Sequence, residues 1–229
     1  MSDPLFLVPS LDVDVLDGAE GHHAADVMRL RVGERLLLGD GRGGVASAVV
    51  RAVGRGRLDL LVGQRRYLDP PAPRLVVAQG IAKGDRGELA VQAMTEAGVD
   101  AIVPWPALRS VARWKDDRPL ERWRAVAREA AKQARRAWLP VVSAPVQTGA
   151  LAPTFVLHEE ATARLSTVDL PDAAEIVLVI GPEGGIAPEE LAAFAGAGAV
   201  PVRLGDTVLR TSTAGVAALA VLSARLGRW

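Results

Sequence analysis

The chain has 229 residues, with 27 basic and 27 acidic side chains, three histidines and no cysteine. That length suits one large domain or two modest ones with room for a real core. The missing cysteines exclude disulfides, thiolate nucleophiles and Cys-ligated zinc, and three histidines (His22, His23, His158) make a metal site unexpected.

The balanced total hides an uneven distribution. Residues 1–70 carry 9 basic and 10 acidic side chains, residues 71–140 carry 13 and 8 for a net +5, and residues 141–229 carry 5 and 9 for a net −4. An anionic partner is therefore to be sought against the middle third. The opening "MSDPLFLVPSLDVD" has no basic region before its short apolar run, so a signal peptide is not expected. The longest apolar stretch, "AGVAALAVL" (214–222), is roughly half of a membrane span. A cytoplasmic location is the expectation.

In chain order, residues 5–67 read as β. "LFLV", "RLLLGD", "GVASAVVRAV" and "RLDLLVG" are short Leu- and Val-rich runs, separated by the turn residues of "DGRGG" (40–44) and "GRGR" (54–57). "AADVMRLRVG" (24–33) reads as a short helix or turn ending at Gly33. A small barrel over 1–70 is the economical arrangement, because it leaves few exposed edges. "LDPPAPR" (68–74) has three prolines in seven residues and reads as a linker. From residue 74 the pattern alternates. "RLVVAQGI", "AIVPW", "TFVLHE", "EIVLVIG" and "VPVRLG" are strands. "GELAVQAMTEAG", "RPLERWRAVAREAAKQARRAW", "PEELAAFAGAG" and "STAGVAALAVLSARL" are helices. Such alternation predicts a second domain, 74–229, built on a parallel sheet covered on both faces.

Five stretches carry chemistry. "GPEGG" (Gly181, Pro182, Glu183, Gly184, Gly185) joins a strand to a helix as a nucleotide loop does, but it matches neither the dinucleotide nor the P-loop spacing. No Lys follows, Pro182 lacks an N–H, and Glu183 adds a negative charge. The loop suits a neutral or cationic ligand approached by backbone, or a purely structural turn. "RLGDTVLRTSTAG" (203–215) places Arg210 beside Thr211, Ser212 and Thr213, whose hydroxyls can cap the last helix. With "VLHEE" (156–160), these loops follow the carboxyl ends of strands, where open α/β sheets bind ligands. In "GIAKGDRGELAV", Lys83 and Arg86 sit against the dipole of a helix start, an arrangement that fits a nearby external phosphate or two solvated charges. Along the long helix, Arg124, Arg128, Lys132 and Arg135/Arg136 share a face by their spacing, either a solvated stripe or a grip on a phosphate backbone. Arg29, Arg31 and Arg35 form a further basic patch.

Together these stretches resemble one family: the RsmE-type 16S ribosomal RNA uridine-N3 methyltransferases of the SPOUT class. The resemblance rests on "VMRLRVGERLLLGDG", "KGDRGELAVQAMTEAGV", "REAAKQARRAWLP", "IGPEGG" and "LGDTVLRTSTA", in order, over nearly the whole chain. It implies a PUA-like N-terminal barrel for RNA and a C-terminal domain with a trefoil knot over about 154–229. It also implies a homodimer and S-adenosyl-L-methionine as cofactor. By the same resemblance, the cofactor is held by Leu157, His158, Gly181, Pro182, Glu183, Gly184, Gly185, Leu204, Gly205, Val208, Leu209, Arg210, Thr211, Ser212, Thr213 and Ala214. Arg29, Arg31, Lys83, Arg86, Arg128, Lys132, Arg135 and Arg136 hold 16S ribosomal RNA within the small subunit, and Arg210 and Glu183 are the catalytic candidates. Ser212 stands where the family often has Glu, which removes that carboxylate as an obligatory base. Another RNA such as tRNA, or a non-catalytic RNA-binding assembly factor, are the rival readings.

Overall fold

The computed structural model describes residues 3–229; the first two residues of the expected 1–70 domain lie outside them. The chain divides into two compact units. The first runs to Pro70 and also takes in Ala131–Leu139; the second holds Pro71–Ala130 and Pro140–Trp229.

The first unit is a five-stranded sheet of β1 (Leu5–Leu7), β2 (Val15–Leu16), β3 (Arg35–Gly39), β4 (Gly44–Gly54) and β5 (Arg57–Tyr67), in the order β1-β3-β4-β5-β2. Only the β1–β3 pair is parallel. Alternate residues point inward: Leu36, Leu38, Ala46, Ala48, Val50, Leu58 and Leu60 join Phe6 and Leu16 in one core. The short helix or turn expected over 24–33 lies earlier in the chain. It comprises α1 (Gly18–His22) and a π-turn over His23–Val27, followed by Arg29 at φ 58°.

The "DGRGG" turn does more than reverse the chain. Asp40 Oδ1 accepts hydrogen bonds from Arg42 N (2.7 Å) and Gly44 N (2.9 Å). Gly43 N then donates to Ala137 O, and Leu139 N to Gly41 O, both at 3.0 Å. A Cβ on Gly43 would sit 2.6 Å from Leu68 O and 2.8 Å from the Trp138 ring, so only glycine admits residues 137–139 here.

The second unit carries a seven-stranded, wholly parallel sheet. Its strands are β6 (Arg74–Gly80), β7 (Ala101–Trp105), β8 (Val141–Val142), β9 (Phe155–Leu157), β10 (Ala163–Arg164), β11 (Glu175–Ile180) and β12 (Val200–Arg203), in the order β10-β12-β9-β11-β6-β7-β8. The helices are α2 (Arg86–Glu96), α3 (Arg118–Gln133), α4 (Pro188–Gly196) and α5 (Thr211–Arg225). Strand alternation divides the apolar residues between two faces. Leu75, Val77, Ile176, Leu178 and Ile180 pack with Met94, Trp123, Ala218 and Leu222 on one face. Ala78 and Val179 pack with Trp105, Ile186 and Phe194 on the other.

The long helix ends at Gln133 rather than running to Trp138. Arg135 stands at φ 53°, and Arg135 N and Arg136 N turn back to Lys132 O and Ala131 O. The charged stripe is therefore not one face. Lys132 Nζ lies 3.0 Å from Glu20 Oε1 within the first unit, with side chains 6% and 14% exposed. Among the described residues, no helix is long and apolar enough to cross a membrane.

Candidate active site

Because β9, β11 and β12 are parallel, the loops that leave them emerge at one end of the sheet. These loops enclose a cavity of about 760 Å³ in the second unit, a size ordinary for a small-molecule site.

The "GPEGG" loop forms one wall. Gly185 N donates to Pro182 O at 2.9 Å, closing a tight turn with Gly185 at φ +74°. The loop lies against the end of β6: a Cβ on Gly80 would meet Pro182 N at 2.5 Å and Gly181 C at 2.9 Å. Gly80 thus supports the cavity wall from behind, by close backbone contact. Glu183 turns toward the loop between β6 and α2, where its Oε1 accepts from Lys83 N (3.1 Å) and Arg86 Nη1 (3.4 Å). Of the two cations at the start of α2, Arg86 thus pairs with a carboxylate of the chain itself, while Lys83 meets that carboxylate through its backbone N–H.

The loop after β12 forms the opposite wall. Any of the hydroxyls of Thr211, Ser212 and Thr213 could cap α5 by position, yet no side chain caps that helix, whose N-cap residue is Arg210. Instead Thr211 Oγ1 donates to Gly181 O (2.7 Å) and accepts from Gln79 Nε2 (2.9 Å). Gln79 is fully buried in β6. One hydroxyl therefore fastens the central strand, the "GPEGG" loop and α5 together. Thr213 Oγ1 donates to Arg210 O at 3.1 Å. The third wall comes from β9, where His158 N donates to Val202 O and His158 Nδ1 accepts from Glu160 N at 3.3 Å.

The cavity brings together most of the expected cofactor residues: Leu157, His158, Gly181 through Gly185, Leu204, Gly205, Val208, Leu209, Arg210, Thr211 and Ala214. It does not include Ser212, which is buried, or Thr213, which faces outward. Helical periodicity explains both: Thr211 and Ala214 share a face that these two lack. Arg109 and Arg203 line the cavity unforeseen, and so does Arg86, assigned by resemblance to RNA. Arg203 Nη1 pairs with Asp206 Oδ1 at 3.1 Å.

Of the expected RNA contacts, Arg29, Arg31 and Arg135 are exposed in the first unit, with Arg136 half-buried. Lys83, Arg86 and Arg128 are exposed in the second. Lys132 is the exception: burial against Glu20 leaves it no surface to offer a phosphate.

The RNA methyltransferase domain family matches residues 70–223, and the RNA methyltransferase PUA domain family matches residues 16–62. A ribosomal RNA small subunit methyltransferase E of Mycobacterium tuberculosis is 48% identical, over 98% of this chain and 93% of that protein. The chain belongs to the ribosomal RNA small subunit methyltransferase E family. The structure of a ribosomal RNA small subunit methyltransferase E from Neisseria gonorrhoeae, bound to S-adenosyl methionine, matches with TM-score 0.87 at 26% identity over 98% of both chains. A Legionella pneumophila methyltransferase in complex with the bound cofactor SAM matches with TM-score 0.86, again at 26% identity and 98% coverage of each. As a member of this family, the chain is an RNA methyltransferase whose first unit is PUA-like.

Proposed function

We propose that the protein methylates uridine N3 in 16S ribosomal RNA of the small subunit, using S-adenosyl-L-methionine. The observation that carries this reading is the cavity itself: three strand-end loops converge on a space lined by Glu183, without a P-loop lysine. Its lining fits an adenosine and a sulfonium better than a phosphate chain. Leu157, Ile186, Leu204 and Leu209 supply apolar surface, the glycines allow close backbone approach, and Glu183 supplies negative charge.

The cofactor supplies an electrophilic methyl group when bound. The chain has three tasks. Residues 181–185 and 204–211 hold and orient the cofactor. Arg210, exposed at the start of α5, stabilises the negative charge that grows on the uracil oxygens as N3 loses its proton to solvent water. The RNA is held by Arg29, Arg31, Arg135 and Arg136 of the PUA-like unit and by Lys83, Arg86 and Arg128 of the methyltransferase unit. Glu183, with Oε1 engaged by the α2 loop, is assigned to shaping the site rather than to proton removal. Reaching N3 requires the base to leave its stack or pair.

We further assign residues 1–70, joined by the 131–139 segment, to an RNA-binding domain and the remainder of 74–229 to the methyltransferase domain, with a trefoil knot over about 154–229. The placement of β9 between β11 and β12 supports the knot. A homodimer acting in the cytoplasm completes the reading.

The test is methyl transfer from labelled S-adenosyl-L-methionine to small subunits from a strain lacking the modification, beside naked 16S RNA and tRNA. Label at a single N3-methyluridine of the subunit RNA is expected. Label on tRNA alone would replace the substrate, and cofactor binding without transfer to any RNA would leave a binding factor.

A further inference from the structure

Arg109 belongs to none of the motifs that frame the cavity, yet it stands on the cavity wall. It follows β7 in a segment without regular structure, and hydrogen bonds fix the two residues just before it. Leu108 N donates to Glu190 Oε1 at 2.9 Å, and Glu190 is 2% exposed. The same oxygen accepts from Thr148 Oγ1 (3.0 Å), which accepts in turn from Trp105 Nε1 (3.0 Å). Arg113 donates to Ala107 O (2.9 Å) and Leu108 O (3.2 Å). Residue 109 is thereby pressed onto the "GPEGG" loop. A Cβ on Gly184 would lie 2.8 Å from Arg109 O.

The charges single it out further. Four arginines line the cavity. Arg86 pairs with Glu183, and Arg203 with Asp206. Among the described residues, Arg109 and Arg210 have no carboxylate within ion-pair distance. The Arg109 side chain has one polar contact among the described residues, Nη1 to Gly184 O at 3.5 Å, too long to matter. A hydrogen-bonded network anchored on buried Glu190 thus places a planar cation without a carboxylate partner on the cavity, the arrangement suited to forked recognition of an oxyanion.

We propose that Arg109 is an anion-binding residue of this site, its guanidinium receiving the oxyanion of a ligand seated in the cavity. The inference rests on the methyl-transfer reading, which offers two such oxyanions: the carboxylate of the cofactor's amino-acid arm and a phosphodiester of the RNA strand.

The experiment titrates the intact protein and its Arg109→Gln and Arg109→Lys variants with S-adenosylhomocysteine and with 5′-methylthioadenosine, which lacks the amino-acid arm. Binding of 16S RNA against salt is measured alongside. If the carboxylate is the partner, Arg109→Gln weakens S-adenosylhomocysteine about ten- to a hundredfold. It leaves methylthioadenosine unchanged, and Arg109→Lys recovers part of the loss. If the partner is a phosphate, both small ligands bind as before, and the slope of log affinity against log salt for RNA shrinks by about one. Either result supports the proposal. Unchanged binding of all three, or an equal loss for both small ligands, would overturn it. A parent protein that binds no S-adenosylhomocysteine at all would instead remove the methyl-transfer reading beneath it.

Discussion

Single residues carry more than their motifs suggest. Thr211, one of three hydroxyl residues placed to cap α5, spends its hydroxyl on Gln79 and Gly181 instead. Thr211→Val keeps the volume but leaves the buried Gln79 amide with only its contact to Gly80 O and takes the hydroxyl away from Gly181 O, at an expected cost of about 1–3 kcal/mol. Urea denaturation measures that cost, and S-adenosylhomocysteine affinity should fall with it because the loop loses its anchor. Gly80→Ala acts on the same loop from the other side, since backbone atoms 2.5 and 2.9 Å from the new Cβ cannot yield. Arg210→Ala touches no packed surface, so stability should hold while the single-turnover rate drops about a hundredfold. An unchanged rate would take Arg210 out of the chemistry.

At the level of elements, α3 teaches the clearest lesson. Its charged positions repeat at helical spacing and read as one basic face, yet Lys132 is buried beside Glu20. A charge-assisted contact buried this far contributes to stability, so Lys132→Met should cost about 1–3 kcal/mol, and Glu20→Gln a similar amount. Equilibrium denaturation of the two variants distinguishes this from a surface pair, for which both changes would be nearly silent. Spacing cannot reveal such burial, because the partner lies more than a hundred residues away. The legible parts were those with local causes: turns punctuated by Gly and Pro, apolar runs for β6 and β11, and the two glycine- and hydroxyl-rich loops of the cavity. The two-residue strands β2, β8 and β10 carry no periodicity and exist only through their neighbours. Arg109 was silent for a similar reason, since its place depends on Glu190, Thr148 and Trp105, which arrive from three separate segments.

For the whole molecule, a formal charge of zero conceals exposed arginines in both units. Affinity for 16S RNA should therefore fall steeply with added salt, while affinity for S-adenosylhomocysteine barely changes; filter binding and calorimetry over a salt series compare the two. A homodimer predicts a sedimenting mass of twice the 24.1 kDa chain. The seat of residues 137–139 on the 40–44 turn bears on the order of synthesis. A nascent chain grows from its N-terminus and folds as its modules emerge. Here the leading module must wait: Gly43 N, Gly41 O and Leu68 O gain their partners only after Leu139 has emerged, when more than half of the 229 residues have been made. A gene fragment cut at the proline-rich boundary would encode a module permanently short of its last piece.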